Sequence, residues 1–398
     1  MKSNKVCIIG MGPAGLMAGT ILLQAGFEVH FFDHKKAAGR KFLVAGHGGF
    51  NLTHSEEKET FKGKYNHPFV KDAFQKFDNE EWRKWLLSIQ IETYVGSSGK
   101  IFPIKGIKPI EVLANWLTTI EKKGGIIHYS HKLIDFSEKE VVFQSVDKEV
   151  KHSFDYLVFA MGGASWKKTG STGDWLELFL SKQIKCVPFE SSNSGFEVEN
   201  ANNLASLEGH TLKNTDTSFG LISRKGDVVI SSYGLEGTPI YYVNKAFREN
   251  REGHLSIDLK PTKTQEEIVK VLQKSKNTTE GLKALHLSKT AIQLIKILTT
   301  KEEFSDTETL AKRIKKLQFK PTSLRPIDEV ISTIGGISMN SVTSEFQLKQ
   351  YSNIYACGEM LDWDAPTGGY LIQGCVSTGY VVAKTIIHLH SPSFNHAL

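Results

Sequence analysis

The segment KVCIIGMGPAG at residues 5–15 decides the fold class of this chain, because an apolar run there enters a glycine turn and a helix-forming stretch follows. In such a segment Gly10 permits a sharp turn, Gly12 leaves bare backbone beside a pyrophosphate, and Gly15 lets the helix pack on the strand. Pro13 fits the first helical position, and the helix N-terminus offers unpaired N–H donors to an anion. The segment therefore predicts a Rossmann-type dinucleotide-binding domain.

The next apolar run, residues 28–32, ends in an acid that supports this prediction. Asp33 lies 18 residues beyond Gly15, a spacing at which a carboxylate can accept hydrogen bonds from both ribose hydroxyls of an adenosine. A bare GxGxxG is weak support, since many such matches are ordinary glycine turns. Because strand, turn, helix, strand and acid follow in order, we predict an α/β Rossmann-like fold.

Length and composition set wider bounds. A chain of 398 residues exceeds what one core usually serves, so two or three domains are expected. The net charge of +6 permits contact with phosphate-rich partners without requiring it. Four scattered cysteines favour a reducing, cytoplasmic location and indicate neither a metal site nor a redox dithiol. The sequence has no apolar run of membrane-spanning length, so no membrane association is expected.

A second group of glycines follows Asp33. His34 precedes the run GRK at residues 39–41, and residues 45–54 read AGHGGFNLTH. Such glycine density beside basic side chains predicts backbone moulded against a flat or charged part of the same ligand. A plain flexible loop is the alternative interpretation. Within this run His47 would either lie near the ligand or support the loop.

Periodicity predicts the secondary structure around these motifs. Apolar residues recur at helical spacing over 68–87 and 110–120, and residues 99–103 are typical of a hairpin edge. Residues 156–160, which end in Ala160, have the composition of a fully buried central strand. This strand breaks into the glycine pair Gly162 and Gly163, as a parallel sheet does where its carboxyl end meets a ligand.

The character of the chain changes twice more. Short alternating segments, among them 219–222 and 228–231, predict a β-rich region, and the lysine-rich helical periodicity of 263–316 predicts a small helical subdomain. Rossmann-like character returns after Pro326, with a strand at 354–357. The predicted boundaries are 1–188 and 323–398 for the two parts of the nucleotide-binding domain, 189–262 for the β-rich domain and 263–322 for the helical subdomain.

Glycine turns spread along the whole chain require a long ligand, which favours FAD over NAD. Glu359, with Asp362 nearby, would hold the ribityl hydroxyls, and a final helix at 374–389 would present its N-terminus to the flavin N1–C2=O edge. The turn at Gly368 and Gly369 precedes that helix. The sequence has no second GxGxxG and no CxxxxC, which disfavours a two-nucleotide disulfide reductase; NAD(P)H would bind transiently over the isoalloxazine.

These motifs together resemble the BaiN-like NAD(P)/FAD-dependent oxidoreductases, also described as aminoacetone-oxidase-family flavoproteins. Where much of that family has GGGRCN, residues 46–51 read GHGGFN, which resembles a subgroup with GGLNLTH. The resemblance implies noncovalent FAD on a two-part, glutathione-reductase-type domain with an inserted β-rich domain and a small helical domain. The cofactor-binding residues then expected are Gly10, Gly12, Pro13, Ala14, Gly15, Asp33, His34, Gly39, Arg40, Lys41, Gly46, Gly48, Gly49, Asn51, Ala160, Gly162, Gly163, Gly358, Glu359, Asp362, Gly368, Gly369, Tyr370 and Leu371.

Three functions remain open at this point. The leading hypothesis is a soluble FAD-dependent oxidoreductase that exchanges hydride between flavin N5 and a small-molecule substrate or NAD(P)H. The alternatives are a flavin-dependent enzyme that reduces uridine in ribosomal RNA, as the family resemblance allows, and a non-catalytic flavin-binding protein. No aromatic and basic platform for stacking bases is visible in the sequence, which counts against RNA. Candidate substrate-side residues are His47 and Arg325, for which loop support and a surface salt bridge are the alternatives.

Overall fold

The computed structural model of this protein describes residues 4–44, 49–146 and 148–390. The chain forms two compact units. One combines the residues up to Glu190 with those from Thr333 onward, and the other is Ser191–Ser332. No helix within the described residues is both long and apolar enough to cross a bilayer.

The strands, in chain order, are β1 Lys5–Ile9, β2 Glu28–Phe32, β3 Thr53–His54, β4 Thr93–Val95, β5 Lys100–Pro103, β6 Ile126–His128, β7 His131–Phe136, β8 Glu140–Ser145, β9 Lys148–Ser153, β10 Tyr156–Phe159, β11 Cys186–Ser192, β12 Phe196–Val198, β13 Thr211–Phe219, β14 Ile222–Ser231, β15 Gly234–Glu236, β16 Leu255–Asp258, β17 Leu317–Phe319, β18 Pro321–Leu324, β19 Ser332–Ile337 and β20 Ile354–Ala356.

The α-helices are α1 Pro13–Gln24, α2 Arg40–Val44, α3 Lys58–Lys62, α4 Pro68–Lys76, α5 Asn79–Ser88, α6 Pro109–Lys122, α7 Leu176–Ser181, α8 Thr238–Tyr242, α9 Asn244–Glu249, α10 Gln265–Lys274, α11 Thr278–Ala284, α12 Lys289–Leu298, α13 Lys301–Ser305, α14 Thr307–Lys315 and α15 Tyr370–His390.

A five-stranded parallel sheet in the order β20-β10-β1-β2-β6 is the centre of the first unit. Its strands are apolar on both faces, which is typical of parallel sheets covered by helices on both sides. Ile8, Phe31 and Val158 on its three middle strands have no exposed surface. The predicted α/β Rossmann-like fold is confirmed, including the buried central strand that leads to Ala160.

Two helix predictions need correction. The apolar run at 68–87 is two helices rather than one, because Phe77 leaves helical geometry and the Asp78 carboxylate then accepts hydrogen bonds from the Glu80 and Glu81 amides to begin α5. The final helix begins at Tyr370, four residues before the predicted Gly374. That glycine lies inside the helix, where a Cβ would stand 2.6 Å from the Trp363 ring.

Two small antiparallel sheets, β7-β8-β9 and β3-β5-β4, also belong to the first unit, and β11 pairs with β19. The predicted hairpin at 99–103 is present as β4 and β5, but β5 is the central strand of its sheet and not an edge. It pairs with β4 on one side and with β3 on the other. Residues 46–48, which include the predicted Gly46, His47 and Gly48, lie outside the described residues.

The second unit contains an antiparallel sheet of seven strands in the order β17-β16-β13-β14-β15-β12-β18. Residues 219–222, predicted as one strand, instead span a hairpin turn: Phe219 ends β13, Ile222 begins β14, and the two residues between them form the turn. Gly220 there has φ +60° and Leu221 is fully exposed. The predicted helices of 263–316 are present as α10 to α14, and their apolar residues share one core with the sheet.

Candidate functional site

A cavity of about 390 Å³ lies where four strands of the parallel sheet end. The carboxyl ends of β1, β2, β10 and β20 all reach it, which is the usual ligand position in an open α/β sheet. Thirteen of the residues predicted to bind the cofactor line this one cavity: Gly10, Gly12, Pro13, Ala14, Asp33, His34, Gly39, Arg40, Lys41, Ala160, Gly162, Gly358 and Glu359.

Of the other predicted residues, Gly46 and Gly48 lie with His47 outside the described residues. The remaining nine do not line the cavity. Asp362 contacts the backbone of β19 instead, where its Oδ1 accepts a hydrogen bond from the Gly335 amide at 3.1 Å. Also absent from the lining are Gly15, Gly49, Asn51, Gly163, Gly368, Gly369, Tyr370 and Leu371.

The glycine end of the cavity, residues 10–15 together with Asp33, is shaped by backbone. Gly10 has φ +101°, and a Cβ there would stand 2.3 Å from the Ala160 carbonyl oxygen. A Cβ on Gly15 would stand 2.1 Å from the Gly10 carbonyl oxygen, so helix and strand touch as predicted. Gly12 differs, because nothing lies within 4 Å of the position its Cβ would take. The open side of Gly12 and the N-terminus of α1 therefore both border the cavity.

The start of α1 is held in place by two later glycines. A Cβ on Gly358 would stand 2.7 Å from the Ala14 side chain, and a Cβ on Gly379 in α15 would stand 2.2 Å from the Ala14 carbonyl oxygen. The Gly358 amide also donates to Thr378 Oγ1 at 3.0 Å. These contacts fix the direction in which the first amides of α1 point.

Asp33 is tied to the same turn by its own carboxylate. Its Oδ2 accepts from the Met11 amide at 3.2 Å, and its Oδ1 accepts from the Lys35 amide at 2.9 Å. Burial raises the pKa of the Asp33 carboxyl, although these two amides and the neighbouring His34 act in the opposite direction. The carboxylate is thus oriented at the cavity edge with acceptor capacity left for ligand hydroxyls.

The ion-pair end of the cavity, defined by Lys41, Ser165 and Glu359, is built from side chains. Lys41 Nζ lies 2.9 and 2.8 Å from the two Glu359 oxygens and donates to Ser165 Oγ at 2.7 Å. The Lys41 and Glu359 side chains are mostly buried, with 26% and 14% of their surfaces exposed. Glu359 also accepts a long hydrogen bond from the Thr333 amide at 3.4 Å. The two predicted residues are therefore each other's partners.

The turn before α15 is packed against strand β3. A Cβ on Gly369 would stand 2.6 Å from the Thr53 Cα, and Gly369 has φ +96°. Thr53 Oγ1 donates to Oε1 of the fully buried Gln373, whose amide group donates to the Phe77 carbonyl. This buried network holds the N-terminus of α15 beside the segment that begins at Gly49.

Several lining residues were not predicted as ligand contacts. The polar loop at 169–172 and the start of β7 at 131–134 border the cavity. Cys357 and Cys375 also border it. Burial raises the pKa of both thiols, that of Cys375 to about 12, so neither is a thiolate at neutral pH.

Arg325 belongs to the second unit and is engaged there. Its guanidinium forms ion pairs with Glu197 and Glu329 and lies 4.1 Å from the centre of the Tyr233 ring. These contacts favour the salt-bridge alternative over the predicted contact with an anionic ligand. Within the described residues, no three histidine, cysteine or acidic side chains are grouped so that they could hold a metal ion.

Comparison with known proteins places this arrangement in a family. Residues 4–385 match the model of the HI0933-like protein Rossmann domain. The chain belongs to this family. One relative is the ribosomal RNA dihydrouridine synthase of Haemophilus influenzae, which is 24% identical over 396 residues. The aligned residues cover 95% of this chain and 97% of the relative. The 3-dehydro-bile acid Δ4,6-reductase of Clostridium scindens is 22% identical over 417 residues, covering 96% and 98%.

Solved structures share the fold of the chain. The 3-ketosteroid-Δ4-(5α)-dehydrogenase from Rhodococcus jostii RHA1 aligns with a TM-score of 0.52 and 12% identity, covering 97% of this chain and 98% of that one. The open conformation of a flavocytochrome c3 fumarate reductase gives 0.50 and 13%, covering 98% and 79%. The family match and the shared fold agree with the predicted FAD-dependent oxidoreductase.

Proposed function

We propose that the protein binds FAD noncovalently in the cavity of its first unit and exchanges hydride between flavin N5 and a small-molecule substrate or NAD(P)H. Gly12 is the observation that carries this proposal. Its missing side chain leaves open space at the cavity, and the unpaired amides at the N-terminus of α1 border the same space. Bare backbone beside a helix N-terminus is the arrangement that a pyrophosphate requires.

The lining residues fit FAD along its length. The backbone of Gly12 and the first turn of α1 would hold the pyrophosphate, Asp33 would accept from the adenosine ribose, and Glu359 would accept from the ribityl chain. Bound FAD supplies the hydride chemistry, and the protein positions it and excludes water. The Lys41 ammonium donates to both Glu359 oxygens and holds that side chain in place, so this acceptor is oriented before the cofactor binds.

Within the family we propose the BaiN-like subgroup with the GGLNLTH-type segment. Residues 49–54 read GFNLTH, and Thr53 from this segment packs against the turn that begins α15. The similarity to a bile-acid reductase supports a reductase, and the resemblance to NAD(P)/FAD-dependent oxidoreductases supports NAD(P)H as its electron donor. His47 stays a candidate on the substrate side.

The visible spectrum of the purified protein tests the proposal, followed by anaerobic addition of NADH or NADPH. We expect a flavin absorption band that disappears when the nicotinamide is added. A band that persists with both nicotinamides and with candidate small-molecule substrates would favour a non-catalytic flavoprotein. A protein without flavin, even after FAD is added, would contradict the proposal.

Reduction of a uridine in ribosomal RNA is the second candidate function. The similarity to a ribosomal RNA dihydrouridine synthase over nearly the whole of both chains favours it. In this function a hydride from the reduced flavin and a proton would add across the C5–C6 double bond of uracil. Incubation of the reduced enzyme with unmodified ribosomal RNA, followed by mass spectrometry of the nucleosides, should show a gain of two hydrogens on uridine. An unchanged uridine mass would remove this candidate.

A further inference from the structure

We propose that the outer face of the β3-β5-β4 sheet binds single-stranded RNA; this inference rests on the second candidate function. We call this surface the aromatic sheet face and define it by Tyr94, Lys100 and Phe102, with Lys105 and Lys108 in the segment that follows β5. The sequence alone did not reveal it, because its two rings come from different strands and meet only when β4 pairs with β5.

The rings on this face are paired and accessible. Tyr94 is directly opposite Phe102 in the β4-β5 ladder, and the two rings stack with their centres 5.7 Å apart. Tyr94 keeps 47% of its surface exposed, and Phe102 is half-buried. Gly96 lies against the Phe102 ring, where a Cβ would stand 2.9 Å from it, so no side chain covers the ring at that edge.

The chain segment that contains Phe102 is basic, with acidic residues only at its two ends, where the Glu111 carboxylate accepts from the Lys108 amide. Between Glu92 and Glu111 the chain has three lysines and no acidic residue. The lysines are Lys100, Lys105 and Lys108, and none of them makes an ion pair with another described residue. Unpaired lysines beside an open aromatic surface match a phosphate backbone with bases attached.

The shape of the surface favours RNA over a small ligand. A small molecule or dinucleotide takes a concave site, whereas this surface is the open face of a β-sheet. RNA-binding sheets stack unpaired bases on exposed aromatic side chains in the same way. The exposed Ile104, two residues after Phe102, extends the apolar area beyond the two rings.

The position of the face links it to the proposed flavin site. Lys100 reaches the turn before α15, since its Cε lies 3.9 Å from the position of a Cβ on Gly368. On the other side the Phe102 ring lies 3.4 Å from the corresponding position on Gly49, at the end of the glycine-rich segment. A strand of RNA on this face would therefore pass the helix N-terminus that we expect to face the flavin.

Fluorescence anisotropy of the FAD-loaded protein with a labelled single-stranded oligouridine of about 12 nucleotides tests the inference. Tyr94→Ala should raise the Kd about fivefold or more, because one stacked base loses its platform. Tyr94→Phe should bind as the wild type does. The control Leu87→Ala removes an exposed apolar side chain of α5 outside the face and should leave the Kd unchanged.

Charge is tested in the same assay between about 50 and 200 mM salt. The double variant Lys105→Ala/Lys108→Ala should bind more weakly and reduce the salt slope by about 1.4, since each phosphate contact to a single strand contributes about 0.7. The matched control Lys270→Ala/Lys274→Ala removes two exposed lysines of α10. A loss of binding in that control alone would move the RNA site to the helical region and overturn the inference.

The possible outcomes distinguish a failure of this inference from a failure of the second candidate function, on which it rests. A wild type that retains no oligouridine or ribosomal RNA at low salt would remove the second candidate function and the inference with it. Wild-type binding that all the sheet-face variants preserve would overturn the inference alone. If Tyr94→Ala instead changes the molar mass measured by light scattering, the face is an interface between two copies of the chain, and the inference is wrong.

Discussion

The glycine end and the ion-pair end of the cavity border the same space but are built from different material. At the glycine end, backbone atoms of Gly10, Gly12 and Gly15 fix the shape, and two of these positions have no room for a single added carbon. At the ion-pair end, the long side chains of Lys41 and Glu359 meet across a distance that other rotamers could change. The shape of the glycine end is therefore fixed by backbone, whereas the charge distribution at the ion-pair end depends on the positions of two side chains.

This difference separates two ways in which a variant can fail. A substitution of one of the glycines at the glycine end changes volume, so it either disrupts the fold or blocks the ligand. A substitution at the ion-pair end changes charge balance, so its effect should be graded and should depend on what remains of the partner. The predictions below test this distinction, beginning with the largest effect.

Gly15→Val should disrupt the first unit. The new Cβ would stand 2.1 Å from the Gly10 carbonyl oxygen, and backbone cannot retreat there without breaking the contact of α1 with β1. We expect a loss of more than about 4 kcal/mol of unfolding free energy, or no folded protein. Thermal unfolding measures it, with Gly63→Ala as control because Gly63 has φ −61° and lies beyond α3. A Gly15→Val protein that melts like the wild type would contradict the rigid glycine end.

Glu359→Ala should weaken FAD binding roughly 10- to 100-fold, because a charged acceptor contributes about 1.5–3 kcal/mol. It should also lower stability, since the mostly buried Lys41 ammonium loses its partner. Glu359→Gln keeps an acceptor and should lose less affinity. Titration of apo protein with FAD gives the affinities, and the double variant Lys41→Gln/Glu359→Gln should recover part of the stability. Equal affinities for all variants would mean that another residue holds the ribityl chain.

Asp33→Asn should weaken FAD binding about 3- to 10-fold and change its pH dependence, since a neutral amide accepts less strongly. The pKa of Asp33 is raised by burial, so the wild type should lose affinity on acidification at a higher pH than an ordinary aspartate would. Because the Asp33 carboxyl is harder to ionise in the folded protein than in the unfolded chain, the free energy of unfolding of the apo protein should fall as the pH rises above the usual aspartate range. FAD titrations across acidic pH should therefore show a step in the wild type and none in the variant.

His128→Gln should reduce acid sensitivity. Burial, followed by the positive charges of neighbouring His152 and His30, lowers the pKa of His128 from 6.5 to about 4. The folded protein therefore keeps it neutral, and stability that is complete above pH 6.5 is lost as the pH falls toward 4. After solvent screening we expect a loss of about 1 kcal/mol by pH ~5. Urea unfolding at pH 6.5 and at pH ~5 should show a smaller loss of unfolding free energy in His128→Gln than in the wild type. Substitution of the exposed His254, as His254→Gln, should leave the loss as it is in the wild type.

The sequence predicts the glycine end well because its signals are local. Residues 5–15 and Asp33 lie within one strand-helix-strand unit, so spacing alone places them together. The ion pair of Lys41 with Glu359 joins residues 318 positions apart, and no periodicity indicates such a contact. The aromatic sheet face is hidden for the same reason, because Tyr94 and Phe102 become neighbours only through strand register.

Helix ends are the other place where sequence and structure differ. The sequence predicts a final helix that begins at Gly374, but the helix begins at Tyr370 and includes this glycine, although helices disfavour glycine at interior positions. Tertiary contact outweighs that preference here, since Trp363 packs where a side chain would be. The earlier start at Tyr370 matters for function, because it places the helix N-terminus directly after Gly369.

Flavin stoichiometry of Gly12→Val tests the central claim most directly. The backbone at Gly12 has φ −82° and nothing lies within 4 Å of its Cβ position, so the variant should fold and melt close to the wild type. Its side chain would project into the space that we assign to the pyrophosphate. We predict a folded protein that retains no FAD after purification or titration. A folded Gly12→Val protein with full flavin stoichiometry would contradict the placement of FAD in this cavity.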